Sequence, residues 1–185
     1  ASLLPTPSKS HYTFNLRDVS RVIQGVMMIN PKKCIDGRQV ASVWAHEIKR
    51  VFGDRLVDEH DKEWLTKEID ILYGSAFKMD HASVEDDSIR HMWGSFMDSG
   101  GEKIYQEVTD MVKLKKVMEE SLEEFNGDNP KSQMDLVLFL NAIEHVAKVN
   151  RVMNTPKGHC LLLGVGGSGR KSSAKLAAYL SEFQP

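Results

Sequence analysis

The first third of the chain repeats one pattern, in which a capping residue precedes apolar positions at helical spacing. Asn15 is followed three residues later by Asp18, and Asp36 opens a second segment in a similar way. The apolar positions are Val19, Val22, Ile23 and Val26 in the first segment, and Val40, Val43, Trp44, Ile48, Val51 and Phe52 in the second. A third segment covers residues 58–73. This spacing predicts three short amphipathic helices that form a helical subdomain.

The three predicted helices need a shared core in which to bury their apolar faces. The residues expected in that core are Val22, Val26, Val43, Trp44, Ile48, Phe52 and Leu65. The tryptophans Trp44, Trp64 and Trp93 are expected to anchor cores rather than to stack on a ligand, because large aromatic side chains gain most from burial.

Helical periodicity stops after residue 73. Residues 80–87 are polar and acidic, and one isolated apolar patch at residues 92–97 precedes Gly100 and Gly101. Such a composition is typical of a linker with one anchoring segment. We therefore expect a first domain over residues 1–80, a linker over residues 81–101 and a second domain over residues 102–185.

Two more helices are predicted in the second domain. Apolar residues at helical spacing indicate one helix that resumes near Lys103 and ends at Gly127. Ser132, with Asp135 three residues later, resembles a further capping box. It predicts a second helix that ends near Asn154.

The end of the chain combines a strand signal with a glycine loop. Residues 159–163 form a short, nearly all-apolar run, which is typical of a strand buried on both faces. Gly164 follows directly, Gly169 lies five residues later, and residues 170–183 have helical spacing. A strand, a glycine loop and a helix in this order are the context of a phosphate-binding loop.

Composition and charge exclude several classes of protein. The 24 basic and 26 acidic residues give a formal net charge of −2, so we expect neither a nucleic acid nor a membrane as a partner. No apolar stretch approaches the ~20 residues that span a bilayer. The two cysteines, Cys34 and Cys160, are too few for a disulfide framework and are expected to be free thiols, the second within the buried strand. His46 and Glu47 lack the second histidine of a zinc helix, so no metal site is expected.

The glycine loop carries the clearest candidate chemistry. The predicted nucleotide-binding residues are Gly164, Val165, Gly166, Gly167, Ser168, Gly169, Arg170, Lys171 and Ser172. Glycines at 166 and 167 allow positive φ, which turns backbone N–H groups around phosphate oxygens. An active loop has lysine and then serine or threonine where this chain has Arg170 and Lys171. Lys171 has no acceptor for Mg²⁺, so we expect nucleotide binding without efficient hydrolysis; the alternative is a turn without a ligand.

Several blocks of the chain together resemble dynein heavy chains. They are residues 11–21, 43–47, 50–56, 136–151 and 158–172. The last block, with arginine where lysine is expected, resembles the fourth AAA+ module of axonemal dyneins, and the first resembles the helical lid of the third. The resemblance implies a mostly α-helical chain: an AAA+ lid subdomain, then helices and the first strand–P-loop–helix unit of an α/β AAA+ domain. It implies that Walker B, sensor-1 and arginine-finger segments lie outside these residues, so that this fragment alone is not expected to hydrolyse ATP.

The resemblance also implies partners, cofactors and one further site residue. Arg17 lies in the first turn of a predicted helix, where a cation opposes the helix dipole; the residues alone leave it either in solvent or directed at an anion. The family places a nucleotide-sensing arginine at this position, with Arg21 as the alternative. The implied cofactor is ATP or ADP, with or without Mg²⁺. The implied partners are the other AAA+ modules of the heavy chain and, through the whole protein, microtubules and dynein light and intermediate chains. The implied location is the cytoskeleton of the cytoplasm and the axoneme of a cilium or flagellum.

Two functions of other classes compete with this interpretation. A small stand-alone P-loop enzyme needs several strands in a doubly wound sheet, and the sequence indicates only one. A helical interaction module, whose glycine loop binds no nucleotide, remains the alternative.

Overall fold

The computed structural model describes residues 3–32, 34, 36–97 and 103–183. The chain divides into two units, Ala1–Trp93 (unit 1) and Gly94–Pro185 (unit 2). The part of the predicted linker at residues 98–101 lies outside the described residues. None of the helices formed by the described residues is long and apolar enough to cross a membrane.

Unit 1 is helical. Its helices are α1 (Leu16–Val26), α2 (Gly37–Val51), α3 (Glu59–Leu72) and the short α4 (His81–Val84), with a 3₁₀ turn at Gly53–Arg55 and a π turn at Tyr73–Phe77. Asn15 caps α1, because its side chain accepts the Arg17 N–H and the Asp18 carboxylate accepts the N–H of Asn15 itself. The Asp36 carboxylate caps α2 by accepting the Gln39 N–H at 3.0 Å. Both predicted helix starts are confirmed.

The core of unit 1 forms between α2, α3 and the residues after them. Its fully buried members are Ala41, Ala45, Ile69, Tyr73 and Val84, and Trp44, Ile48, Leu65, Phe77 and Met79 pack against them half-buried. Val22 and Val43 are buried as predicted. Val19 and Ile23, which share the apolar spacing of α1 but are not among the residues expected in the core, are 49% and 52% exposed, because α1 turns Asp18, Val22 and Gly25 inward.

A polar cluster holds the residues after α4 against α2. The buried Glu85 carboxylate accepts from the Tyr73 hydroxyl at 2.5 Å, pairs with Lys49, and lies 3.3 Å from His91 Nδ1. The other ring nitrogen of His91 hydrogen-bonds to the Ser42 hydroxyl at 2.8 Å. Burial alone raises the pKa of Glu85, but the hydrogen bonds and charges of His91, Lys49 and Tyr73 outweigh it and hold the pKa below its ordinary value.

The described residues of unit 2 form three helices. They are α5 (Met111–Asp128), α6 (Leu140–Met153) and α7 (Arg170–Leu180). Two two-residue strands, β1 (Trp93–Gly94) and β2 (Gln106–Glu107), pair in a sheet, and the boundary between the units falls within β1. The buried residues of the three helices include Leu114, Met118, Phe125, Ile143, Val146 and Leu176.

Both predicted helix starts in unit 2 are wrong. The helix expected from Lys103 begins at Met111, because the Asp110 carboxylate caps it by accepting the N–H groups of residues 112 and 113. The helix expected from Ser132 begins at Leu140. The Ser132 hydroxyl accepts from Lys175 at 2.7 Å instead of capping, and the Asn126 side chain holds Met134 through its backbone N–H and C=O.

The predicted buried strand at residues 159–163 is not formed. These residues have no strand partner in the described part of the chain, and a single strand cannot satisfy its backbone groups alone. Leu161 and Leu163 are each 81% exposed. Cys160 is exposed as well, so its predicted burial is wrong, while both Cys34 and Cys160 are free thiols.

Candidate functional site

The glycine loop turns into α7 through two residues with left-handed backbone. Gly167 has φ 79° and Gly169, which directly precedes α7, has φ 72°. Glycine adopts these angles without the steric cost that a Cβ brings. Positive φ was expected at 166 and 167; it occurs at Gly167 and Gly169, and not at Gly166.

Backbone donors are available where the loop meets the helix. The first hydrogen bond of α7 runs from the Ser173 N–H to the Gly169 C=O at 2.8 Å. Within the described residues, the N–H groups of Arg170, Lys171 and Ser172 have no backbone acceptor. Together with the helix dipole, such donors favour an anion at the start of α7.

The Arg170 side chain hydrogen-bonds back to the loop that precedes it. Its Nη2 donates to the Val165 C=O at 2.9 Å. A Cβ built on Gly164 would lie 3.2 Å from Ser168 Oγ and 3.5 Å from Arg170 Cδ, so the loop packs tightly at this point. A Cβ on Gly166 or Gly167 would meet nothing within 4 Å. The loop is therefore open around Gly166 and Gly167.

The loop offers little for a metal ion. Lys171 is exposed and carries no acceptor, and the half-buried Ser172 hydroxyl has no hydrogen-bond partner among the described residues. Over the same residues, no group of three or more histidine, cysteine, aspartate or glutamate side chains is arranged to hold an ion. Ser172 is therefore the residue next to Lys171 whose hydroxyl could ligate Mg²⁺ directly.

Side-chain contacts hold α7, and hence the loop, against the other helices of unit 2. Ser181 accepts from the buried Asn150 amide at 2.8 Å, which joins the end of α7 to α6. The Tyr179 hydroxyl donates to Asp128 at 2.8 Å. That hydrogen bond, reinforced by burial, raises the pKa of Tyr179 to about 12. The end of α7 is therefore fixed from both α5 and α6.

Arg17 lies in unit 1, in the first turn of α1. Its side chain is exposed and has no hydrogen-bond or charged partner among the described residues. The alternative, Arg21, pairs with the buried Asp18 carboxylate at 3.4 Å. Arg17 lies in unit 1 and the loop in unit 2, and the resemblance assigns the two to different modules.

Sequence reasoning missed the residue that anchors the start of α1. Arg55, in the 3₁₀ turn after α2, donates to the Asp18 carboxylate at 3.1 Å. No local pattern marks this pair, because the two residues are 37 positions apart and meet only in the folded unit.

Comparison with known proteins identifies both ends of the chain. Residues 134–185 match the family model described as the P-loop containing dynein motor region D4, and residues 1–88 match the AAA+ lid domain. Dynein axonemal heavy chain 3 of Homo sapiens is 43% identical over 195 residues, which covers 99% of this chain. The chain belongs to the dynein heavy chain family.

Other dynein heavy chains are similarly close. The Dynein-1-beta heavy chain of the flagellar inner arm I1 complex of Chlamydomonas reinhardtii is 40% identical across 98% of the chain. Dynein axonemal heavy chain 10 of Homo sapiens is 43% identical across 98% of the chain. The chain spans only 5%, 4% and 4% of the lengths of these three relatives. The predicted family and the AAA+ lid and P-loop architecture are confirmed.

Proposed function

We propose that residues 164–172 are the phosphate-binding loop of the fourth AAA+ module, and that this loop binds ATP or ADP without efficient hydrolysis. The observation that carries the proposal is the combination of the D4 match with the open N–H groups at the start of α7. In this assignment the backbone N–H groups hold the phosphates, and Gly167 and Gly169 give the loop its shape.

The two cations of the loop have different roles in this proposal. Arg170 steadies the loop through the Val165 C=O and offers its remaining N–H groups to a phosphate oxygen. Lys171 occupies the place of the metal-binding hydroxyl, so Mg²⁺ must be held by Ser172 or through water. A loop with that exchange binds nucleotide but positions the metal poorly for phosphoryl transfer.

Unit 1 has its own part in the proposed function. We infer that it is the lid of the third module and that Arg17 senses the nucleotide bound there. The support is the lid match over residues 1–88 and the exposed guanidinium in the first turn of α1. The lid and the loop would then couple the nucleotide states of neighbouring modules.

The setting follows from the relatives. Their names refer to axonemal and flagellar dyneins, so we infer that this chain acts in an axoneme of the cytoskeleton. Its direct partners would be the other AAA+ modules of the same heavy chain. Microtubules and the light and intermediate chains would be partners of the whole motor.

Two matched glycine variants test nucleotide binding by the loop. Gly166→Ala and Gly167→Ala both add a Cβ to open space, but only Gly167 has positive φ. In a heavy-chain motor in which only the fourth module can bind nucleotide, Gly167→Ala should weaken ADP binding about tenfold, because alanine in this region costs ~1–2 kcal/mol. Gly166→Ala should weaken binding less, because its backbone has no positive φ that alanine would strain. Absence of binding in the native motor would leave the helical interaction module as the better interpretation.

A further inference from the structure

A network of polar groups around Asp18 and Arg55, the Asp18 network, holds the first turn of α1 in place. Asp18 is 4% exposed. Its Oδ2 accepts the Asn15 N–H at 3.0 Å and Arg55 Nη1 at 3.1 Å, and its Oδ1 accepts Arg21 Nη1 at 3.4 Å. The carboxylate is therefore both the second half of the α1 capping box and one member of a largely buried ion pair.

Arg55 ties that carboxylate to the segment leading into α1. Its Nη2 donates to the C=O groups of His11 and Thr13 at 2.8 and 3.2 Å. Its guanidinium lies 4.5 Å from the centre of the Phe14 ring, and its own C=O is 2.9 Å from His11 Nε2. Every acceptor of the Arg55 guanidinium thus belongs to residues 11–18. A planar fork with five donors can make these contacts together, whereas an ammonium cannot.

The Asp18 network also determines where the Arg17 backbone lies. The Asn15 side chain accepts the Arg17 N–H at 2.9 Å, and the N–H of Asn15 is held in turn by Asp18. The Arg17 side chain is exposed and has no partner within the described residues. The fold therefore determines the position of the Arg17 backbone and leaves its guanidinium available.

We propose that Arg55 and Asp18 are positioning residues, which hold the first turn of α1 so that Arg17 can reach the nucleotide. The proposal rests on the proposed sensing role of Arg17. It assigns Arg55 no contact with the nucleotide. Its effect passes through the Asp18 carboxylate, the Asn15 cap and the Arg17 backbone, in that order.

The test is a double-mutant cycle between Arg55 and Arg17. The protein is a heavy-chain motor in which only the third module can bind nucleotide, and the probe is fluorescent methylanthraniloyl-ADP. Arg55→Lys keeps the charge but loses the fork, and Asp18→Asn keeps a cap acceptor but loses the ion pair. Arg38→Lys is the matched control, because Arg38 also donates to a backbone C=O in unit 1, that of Val84, which lies outside residues 11–18. Thermal unfolding is followed for every variant.

The two positions should be strongly non-additive in nucleotide affinity. Arg17→Ala should weaken binding roughly ten- to a hundredfold, the range expected when a charge-assisted hydrogen bond is lost. Arg55→Lys and Asp18→Asn should each weaken it about three- to tenfold in the native background, and should cause no further loss once Arg17 is alanine. Arg38→Lys should leave binding unchanged.

Three results would overturn the proposal. If Arg17→Ala weakens binding but Arg55→Lys and Asp18→Asn do not, the sensing role stands and positioning is wrong. If Arg55→Lys weakens binding equally in both backgrounds, it acts independently of Arg17. If Arg17→Ala has no effect, the proposed sensing role fails, and the positioning role fails with it.

Discussion

The close approach of α1 and α2 gives the sharpest prediction about stability. A Cβ added to Gly25 would lie 2.2 Å from both Cδ and Oε2 of Glu47. Glu47 has no exposed surface, and its Oε2 accepts from Nε and Nη2 of Arg50 at 3.0 and 2.8 Å. The Glu47 carboxylate cannot move away without leaving its ion pair with Arg50. Gly25→Ala must therefore either push α1 and α2 apart or leave a buried charge without its partner.

The size of the effect follows from opposing contributions. Overpacking of a core costs about 1–3 kcal/mol, and displacing a buried carboxylate from its partner adds more. Alanine in place of glycine adds about 1 kcal/mol to the free energy of unfolding, because alanine has the higher helix propensity. We expect a net loss of about 2 kcal/mol or more, which lowers Tm by roughly 8–16 °C in a unit of this size.

Tryptophan fluorescence is the natural assay, because Trp44, Trp64 and Trp93 all lie in unit 1. Urea denaturation of Gly25→Ala should show a lower midpoint with an unchanged slope. Gly74→Ala is the matched control: its Cβ would meet nothing within 4 Å, so stability should be unchanged or slightly higher. A Gly25→Ala chain as stable as the native one would refute the predicted clash with Glu47.

Two further predictions concern single polar groups. The pKa of Glu85 is lowered in the folded state, so its contribution to stability is full above its ordinary pKa of 4.5 and is lost as the pH falls below it. Glu85→Gln should therefore flatten the decline in urea midpoint between pH 7 and pH 3. Parallel plots of urea midpoint against pH for the native and variant chains would show that the cluster contributes nothing. Tyr179→Phe removes the hydrogen bond to Asp128 and should destabilise unit 2 by about 1 kcal/mol in thermal unfolding followed by circular dichroism. An equal loss from Tyr179→Phe when Asp128 is already alanine, which has no acceptor, would contradict that assignment.

Helix starts could be predicted from the sequence where the determining contact is local. Asn15 and Asp36 cap their helices through groups two or three residues away, and both starts are correct. The start at Ser132 is wrong because its hydroxyl binds Lys175, which is 43 residues away. A capping pattern indicates what a side chain can do locally and not whether a distant partner engages it first.

The same distinction applies to the candidate site. The spacing of Gly164 and Gly169 located the loop, and positive φ at Gly167 followed from its glycine. Two contacts form only in the folded chain and could not be predicted from the sequence. They are the hydrogen bond from Arg170 to the Val165 C=O and the ion pair between Asp18 and Arg55. The apolar run at residues 159–163 has the composition of a strand. A strand also requires a neighbouring strand, and the residues of the run do not show whether that neighbour is present.

In the proposed function, the loop at residues 164–172 binds nucleotide without hydrolysing it efficiently. The most direct measurement is phosphate release from Mg·ATP in a heavy-chain motor in which only the fourth module can bind nucleotide, beside a calorimetric titration of the same sample. We expect saturable binding, with phosphate release no faster than in the Gly167→Ala variant. Rapid phosphate release that Gly167→Ala abolishes would contradict it.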